Sequence, residues 1–138
     1  MKTQKVYLEH SNITVTNLEK GIHFFQTAFP DFKIRGGEME EGWIHVGNDY
    51  TYLALTQSQN NNLEKNSYDN PGINHLAFVV EDIKSLVERL ESEGYKKNYP
   101  SEYHEFRTRE YYLDADGNEY EFIEYHSNNP EERNQYDD

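Results

Sequence analysis

The chain carries the same short pattern twice, and this repeat restricts its fold more than any other feature. Residues 8–15 and 73–80 are strand-like runs with a histidine near the start, and an amphipathic segment follows each of them. The two histidines, His10 and His75, are separated by roughly half of the 138 residues. The repeat therefore predicts two copies of one structural unit with the histidines in matching positions.

The spacing of apolar residues in the first copy predicts the element order β-α-β-β-β. A strand over residues 6–15 directs His10 and Asn12 to the face opposite Ile13. A helix follows, with Thr16 as its cap in a capping box and an apolar stripe formed by Leu18, Ile22, Phe25 and Phe29. Three short strands are then expected at residues 32–35, 43–46 and 51–55, with a Gly36-Gly37 break after the first and a turn at residues 48–49 before the last.

The second copy predicts the same order. Its helix begins after Asp82 and closes at Gly94. The strands are expected at residues 73–80, 95–99, 107–113 and 119–125, with a loop at 100–105 and a hairpin turn at 114–118. We therefore expect an α+β fold in which two tandem βαβββ units form a curved mixed sheet around a cleft, with the helices outside.

These elements predict a single domain over residues 1–126 with a polar tail at 127–138. The two units span residues 6–57 and 73–126, and the Gln- and Asn-rich segment 58–72 is interpreted as the linker between them.

Composition excludes several classes of function. The net charge of −13 argues against a nucleic-acid partner, because phosphate binding needs clustered lysine and arginine. The absence of cysteine excludes disulfides, thiol nucleophiles and thiolate metal sites. No segment resembles a signal peptide or is long enough to span a bilayer, so we expect a cytoplasmic protein with no membrane partner.

A metal site is the main chemical prediction. If the two units are related by pseudo-two-fold symmetry, His10 and His75 both point into the cleft. Glu121 is placed on the same open face, because Tyr120 and Phe122 look like core residues on the other face of that strand. Two imidazoles and one carboxylate form a ligand set with open positions for substrate oxygens. The alternative for either histidine alone is an ordinary hydrogen-bonded surface or core residue.

Arg109 and Tyr111 are the predicted substrate contacts. Together with Arg107 they share one face of the strand beside Glu121, so Arg109 can hold an anionic group and Tyr111 can donate to an oxyanion if that face is inward. The alternation alone does not choose the face, and the opposite face with Glu110 and Tyr112 is equally compatible. His104, in the predicted loop, is interpreted as solvated, although its loop can close over the cleft.

The chain resembles the vicinal oxygen chelate superfamily, which includes glyoxalase I, fosfomycin-resistance transferases, extradiol dioxygenases and bleomycin-resistance binding proteins. The resemblance covers nearly all of residues 6–125 and lies in three stretches, L8-E9-H10 with N17-L18-E19-K20, G72-I73-N74-H75-L76-A77-F78, and D114-A115-D116-G117-N118-E119-Y120-E121-F122. It implies that His10, His75 and Glu121 hold one divalent ion, Fe, Mn, Ni, Co or Zn, and that the chain forms a homodimer.

The resemblance implies a metal-dependent glyoxalase-like enzyme that acts on a small oxygen-chelating substrate by lyase, isomerase, transferase or dioxygenase chemistry. Ala54 falls at the fourth metal position of the superfamily and has no lone pair to donate, which argues against true glyoxalase I activity. The alternative is a non-catalytic small-molecule binding protein of the bleomycin-resistance type.

Overall fold

The fold was obtained as a computed structural model that describes residues 6–60, 68–69, 71 and 73–136. The chain divides into two compact units, unit 1 (residues 1–62) and unit 2 (residues 63–138). Each unit has the order βαβββ and a mixed four-stranded sheet, so the predicted α+β class and the tandem repeat are confirmed. Among the described residues, every helix is too short or too polar to cross a membrane.

Unit 1 is built on the parallel pairing of its first and last strands. Its elements are β1 (His10–Val15), α1 (Leu18–Ala28), β2 (Lys33–Glu38), β3 (Trp43–Gly47) and β4 (Tyr52–Gln57). The sheet order is β1-β4-β3-β2, in which β1 runs parallel to β4 and the other neighbours are antiparallel. The first strand starts at His10, not at the predicted residue 6, while Ile13 and His10 face opposite sides as expected.

Helix α1 is capped one residue later than predicted. Asn17 is the N-cap, and its side-chain oxygen accepts a hydrogen bond from the Lys20 backbone amide at 2.9 Å. Its buried stripe is also displaced from the predicted one, with Ile22 and Phe29 only half-buried. The residues that are fully buried against the sheet are Leu18, Gly21, Phe24, Phe25 and Ala28. Phe24 and Phe25 are adjacent and both buried, which makes the buried stripe wider than the sequence pattern predicts. A prediction based on every third or fourth residue therefore identified only part of the face that packs on the sheet.

The predicted break at Gly36 and Gly37 lies inside β2 as a bulge. Gly37 has a φ of +106°, and a Cβ atom at this position would lie 2.5 Å from the Trp43 carbonyl oxygen. Only glycine combines this backbone conformation with so close an approach of the neighbouring strand. The two glycines therefore let β2 continue past an irregular register instead of ending it.

Unit 2 repeats this arrangement. Its elements are β5 (His75–Val79), α2 (Ile83–Ser92), β6 (Glu102–His104), β7 (Arg107–Leu113), β8 (Glu119–Tyr125) and the short helix α3 (Pro130–Arg133). The sheet order is β5-β8-β7-β6, in which β5 runs parallel to β8. The bounds of β7 and β8 agree with the predicted hairpin.

Helix α2 covers one face of the unit 2 sheet. The face beneath it carries Tyr112, Tyr120 and Phe122, all of which are almost completely buried. The Tyr112 hydroxyl donates to Glu91 Oε1 of α2 at 3.2 Å, and burial raises the pKa of this phenol. The opposite face of the sheet is thereby left to the polar residues that alternate with this core.

The second strand of unit 2 was predicted in the wrong place. The expected strand at residues 95–99 forms only an isolated bridge between Lys97 and Tyr112, whereas β6 lies in the predicted loop. The segment is still hydrogen-bonded to β7, since the backbone amide of Asn98 donates to the Tyr111 carbonyl at 2.9 Å. Pro100 lacks an amide proton and interrupts the pairing, so the regular ladder resumes only at β6.

The predicted polar tail is partly ordered against unit 2. Helix α3 places the Arg133 guanidinium 4.1 Å from the centre of the Tyr125 ring, and the Ser127 hydroxyl donates to Glu132 at 2.7 Å. Residues 137–138 of the tail and residues 61–67, 70 and 72 of the predicted linker lie outside the described residues.

The cap of α1 gives a direct test of this local structure. Asn17→Ala removes the acceptor for the Lys20 amide and is expected to lower the free energy of unfolding by about 1 kcal/mol. Asn17→Asp keeps a capping oxygen and is expected to retain most of the stability. Urea unfolding followed by circular dichroism measures both, and equal midpoints for the alanine and aspartate variants would contradict the assignment of the cap.

Candidate functional site

The polar face of the unit 2 sheet gathers most of the predicted site residues of that unit. In the strand register, His75 of β5 pairs with Glu119 of β8, and Tyr111 of β7 pairs with Glu121. Paired residues point to the same side of a sheet, so these side chains share the face opposite α2. Glu110 and Tyr112 are buried on the other face, so Arg109 and Tyr111 share the face of His75, while their role as substrate contacts stays a prediction.

His75 and Glu121 are in direct contact. The distance between His75 Nε2 and Glu121 Oε1 is 3.1 Å, and the glutamate side chain is only 8% exposed. Glu121 is reached because it lies two residues beyond the position that pairs with His75, on the same face. An imidazole nitrogen and a carboxylate oxygen thus converge at one point of this face.

A second carboxylate, Glu119, holds the other side of the His75 ring. Glu119 Oε2 lies 3.3 Å from His75 Nδ1 and accepts a hydrogen bond of 2.5 Å from the Tyr68 hydroxyl. Glu119 Oε1 accepts a hydrogen bond from the side-chain amide of Asn98. The hydrogen bond to Glu119 raises the pKa of the Tyr68 phenol above its ordinary value. The Glu119 carboxylate is buried, and these partners compensate for its desolvation.

Arg109 and Tyr111 line the same face beside Glu121. Arg109 Nε lies 3.3 Å from Glu121 Oε2, which leaves Oε1 of that carboxylate to His75. The Tyr111 ring meets the His75 ring edge-to-face at 6.0 Å between centroids. Burial, and secondly the negative charge of Glu121, raise the pKa of Tyr111 to about 12. Tyr111 therefore keeps its proton at neutral pH and can donate a hydrogen bond.

The corresponding face of unit 1 is aromatic. His10 Nδ1 lies 2.9 Å from Glu9 Oε1, and the ring of His10 stacks on Tyr52 with centroids 4.6 Å apart. His45 also stacks on the Tyr52 ring, with centroids 4.6 Å apart, and the Trp43 ring meets His45 edge-to-face at 5.1 Å. Unit 1 thus presents a row of rings where unit 2 presents two carboxylates.

Ala54 occupies the position in unit 1 that Glu121 occupies in unit 2. In the parallel pair of each unit, Tyr52 pairs with His10 as Glu119 pairs with His75, and the next residue on the same face is Ala54 or Glu121. This register confirms the predicted match between Ala54 and Glu121. The unit 1 sheet therefore offers no carboxylate at that point.

The proposed ligand set stays a prediction from the sequence repeat. In unit 2, His75 and Glu121 supply two of the three predicted donors, and His10 belongs to unit 1. Within each unit, the described residues include no group of three or more histidine, aspartate and glutamate side chains arranged to hold a metal ion.

Two contributors to this face were not assigned from the sequence. Glu119 lies two residues before Glu121 on the same strand, so the sequence predicts that both point to the same face. The sequence does not predict that Glu119 contacts the ring of His75. Tyr68 belongs to the predicted linker, where no periodicity indicates a partner. Only the folded chain brings such distant positions together.

The family follows from a comparison with protein-family models. Residues 7–122 match the model of the Glyoxalase/Bleomycin resistance protein/Dioxygenase superfamily. The chain belongs to this superfamily. The match spans both units, which agrees with the tandem βαβββ order and with the predicted resemblance.

Solved structures of the superfamily share the fold at low sequence identity. The fosfomycin resistance protein FosX from Listeria monocytogenes is 19% identical with a TM-score of 0.71, over 94% of this chain and 99% of that chain. A glyoxylase/bleomycin resistance protein/dioxygenase domain from Frankia sp. EAN1pec is 21% identical with a TM-score of 0.71, over 88% of this chain and 99% of that one. FosX from Mesorhizobium loti is 20% identical with a TM-score of 0.69, over 95% and 98%. A comparison with curated proteins gives no match.

The hydrogen bond between Asn98 and Glu119 can be tested by a double-mutant cycle. Asn98→Ala removes a donor to a buried carboxylate and is expected to lower the free energy of unfolding by about 1 kcal/mol, less than is usual for a charged acceptor because Asn98 itself is exposed. In a Glu119→Gln background the same change is expected to cost less. Equal losses in the two backgrounds, measured by urea unfolding, would contradict the contact.

Proposed function

We propose that this protein is a metal-dependent enzyme of the glyoxalase-like type that acts on a small substrate with two neighbouring oxygen atoms. The observation that carries the proposal is the convergence of His75 Nε2 and Glu121 Oε1, 3.1 Å apart on the polar face of unit 2. His10 is the third ligand expected from the sequence repeat, and the metal is one of Fe, Mn, Ni, Co or Zn.

The surroundings of His75 fit a ligand histidine. Metal-bound histidines usually donate the second ring nitrogen to a carboxylate or carbonyl, which fixes the tautomer and the orientation of the ring. Here Nδ1 contacts the Tyr68 hydroxyl at 3.3 Å and lies 3.3 Å from Glu119 Oε2 as an ion pair, while Nε2 is directed to Glu121. A mixed imidazole and carboxylate set suits the borderline divalent ions named above better than Mg²⁺ or Ca²⁺.

The remaining polar residues suit the binding and polarisation of a substrate. A bound divalent ion would supply Lewis acidity to the substrate oxygens. Tyr111 keeps its proton well above neutral pH and can donate a hydrogen bond to an oxygen on which negative charge develops. The Arg109 guanidinium forms an ion pair with Glu121, with Nε 3.3 Å from Oε2, and adds positive charge on the same face.

Ala54 limits the reaction classes. A site that uses a second carboxylate to move a proton between carbon atoms needs a base at this position, and alanine provides none. We therefore favour substrate activation, transfer or oxygen insertion over a glyoxalase I reaction. The homodimer and a small-molecule substrate are further proposals that rest on the superfamily.

Metal content provides the test. Purified protein loaded in turn with Fe, Mn, Ni, Co or Zn is expected to retain about one equivalent of at least one ion per chain, measured by elemental analysis after dialysis. His75→Ala and Glu121→Ala are expected to weaken retention by more than about tenfold, and His10→Ala tests the predicted third ligand. Glu119→Gln is expected to have a smaller effect, because it acts through the orientation of His75.

His126→Ala is the matched control. This histidine contacts Thr108 and Glu124 of unit 2 and lies away from His75 in the strand register, so its loss is expected to leave metal retention unchanged. Failure of the wild-type chain to retain any of the five ions would contradict the proposal and favour the non-catalytic binding protein of the bleomycin-resistance type.

A further inference from the structure

We propose that a pocket between β6 and β7 of unit 2 binds the anionic group, a carboxylate or a phosphoryl group, of a small molecule. The pocket has a volume of about 250 Å³. Its lining residues come from the β6–β7 hairpin: Glu102, Tyr103, His104, Arg107 and Arg109. We refer to it as the β6–β7 pocket.

Arg107 is the main reason to expect an anion. The residue is only 6% exposed, and its Nη1 is buried without a hydrogen-bond partner among the described residues. A guanidinium stays charged at every physiological pH, so a buried and incompletely bonded arginine is costly unless something supplies negative charge. Among the described residues, the ring of Tyr136 lies over the guanidinium, with Cζ 5.0 Å from the ring centre, and the face of a ring offers no acceptor oxygen.

His104 adds a neutral donor to the same pocket. Its Nδ1 accepts a hydrogen bond from the Phe106 backbone amide at 3.1 Å. In the neutral ring the proton must then reside on Nε2, which makes that nitrogen a hydrogen-bond donor. The sequence placed His104 in a solvated loop, whereas the strand register places it on the same face as Arg107.

Arg109 connects the pocket with the candidate metal donors. Its guanidinium lines the pocket, while its Nε lies 3.3 Å from Glu121 Oε2. Part of its charge is therefore neutralised by Glu121, and Arg107 is left as the dominant cation. A ligand held by Arg107 would thus lie next to the residue that contacts Glu121.

The opposing charge and the size of the pocket narrow the ligand class. Glu102 is the carboxylate among the lining residues; because it is exposed to solvent, its repulsion of an anion is reduced but not removed. The volume is below the roughly 300–1,000 Å³ typical of sites that enclose a drug-sized ligand. The pocket therefore suits a charged end group, and the rest of the molecule extends along the polar face.

This inference deepens the proposed function and rests on it for the idea that the anion belongs to the substrate. Anion binding itself requires no metal. The two proposals can therefore fail separately if anion binding is measured on the full-length chain after chelation and dialysis, and metal retention is measured in the absence of added anions.

The probes are inorganic phosphate and acetate, titrated by calorimetry in a buffer of low chloride content. We expect saturable binding of at least one of them with a Kd of about 1 mM or tighter, and the ratio of the two affinities identifies the preferred anion. Arg107→Gln is expected to weaken binding by about tenfold or more, because it removes the charged fork from the pocket. Absence of saturable binding to the wild-type chain would overturn the proposal.

Two further variants separate the charge effect from a loss of structure. Arg89→Gln makes the same charge change on α2, on the opposite face of the sheet, and is expected to leave affinity unchanged. Glu102→Gln removes the opposing carboxylate from an exposed position and is expected to tighten binding by about threefold. If Arg107→Gln fails to fold by circular dichroism, Glu102→Gln decides the question, and an unchanged affinity in that variant would overturn the proposal.

Discussion

The parallel pairing of the first and last strands of each unit is the constraint on which the rest of the structure depends. A parallel pair cannot be closed by a tight turn and needs a long crossover; here the chain passes through a helix and two further strands before it returns to the starting strand. In unit 2 this crossover places β8 beside β5 with His75 opposite Glu119. The side-chain period of two then directs Glu121 to the same face one step further along.

The polar face of unit 2 carries a large desolvation cost, and the residues around its carboxylates offset that cost. Glu119 and Glu121 are both buried carboxylates, and burial of a charge is tolerated only when hydrogen bonds or opposite charges replace water. Asn98 and Tyr68 supply donors to Glu119, while His75 and Arg109 lie against Glu121. A face assembled from such interdependent groups holds its side chains in few orientations, which is what a binding or catalytic site requires.

Much of this arrangement was predictable from the sequence because it follows from local rules. Strand period and turn residues located β7 and β8 at the correct bounds, and the contrast between Tyr120 and Glu121 identified which face carries the core. The position of β6 was missed, because a proline and a set of irregular backbone bonds decide where the ladder resumes. The proline is visible in the sequence, but the irregular backbone hydrogen bonds are not.

The side-chain contacts were harder to predict from the sequence, because they join residues far apart in the chain. Tyr68 and Glu119 meet only through the fold, and Arg107 gives no hint of burial in an alternating polar strand. The relation between Ala54 and Glu121 was accessible, since it depends on register within a repeat and not on the choice of rotamers.

The course of the C-terminal segment has a practical consequence for anyone who handles this protein. Tyr136 lies over the guanidinium groups of Arg107 and Arg109, 5.0 Å and 5.9 Å from their Cζ atoms. A purification tag or fluorescent fusion appended to Asp138 would begin two residues beyond this ring. A cleavable extension is therefore advisable wherever C-terminal labelling is needed.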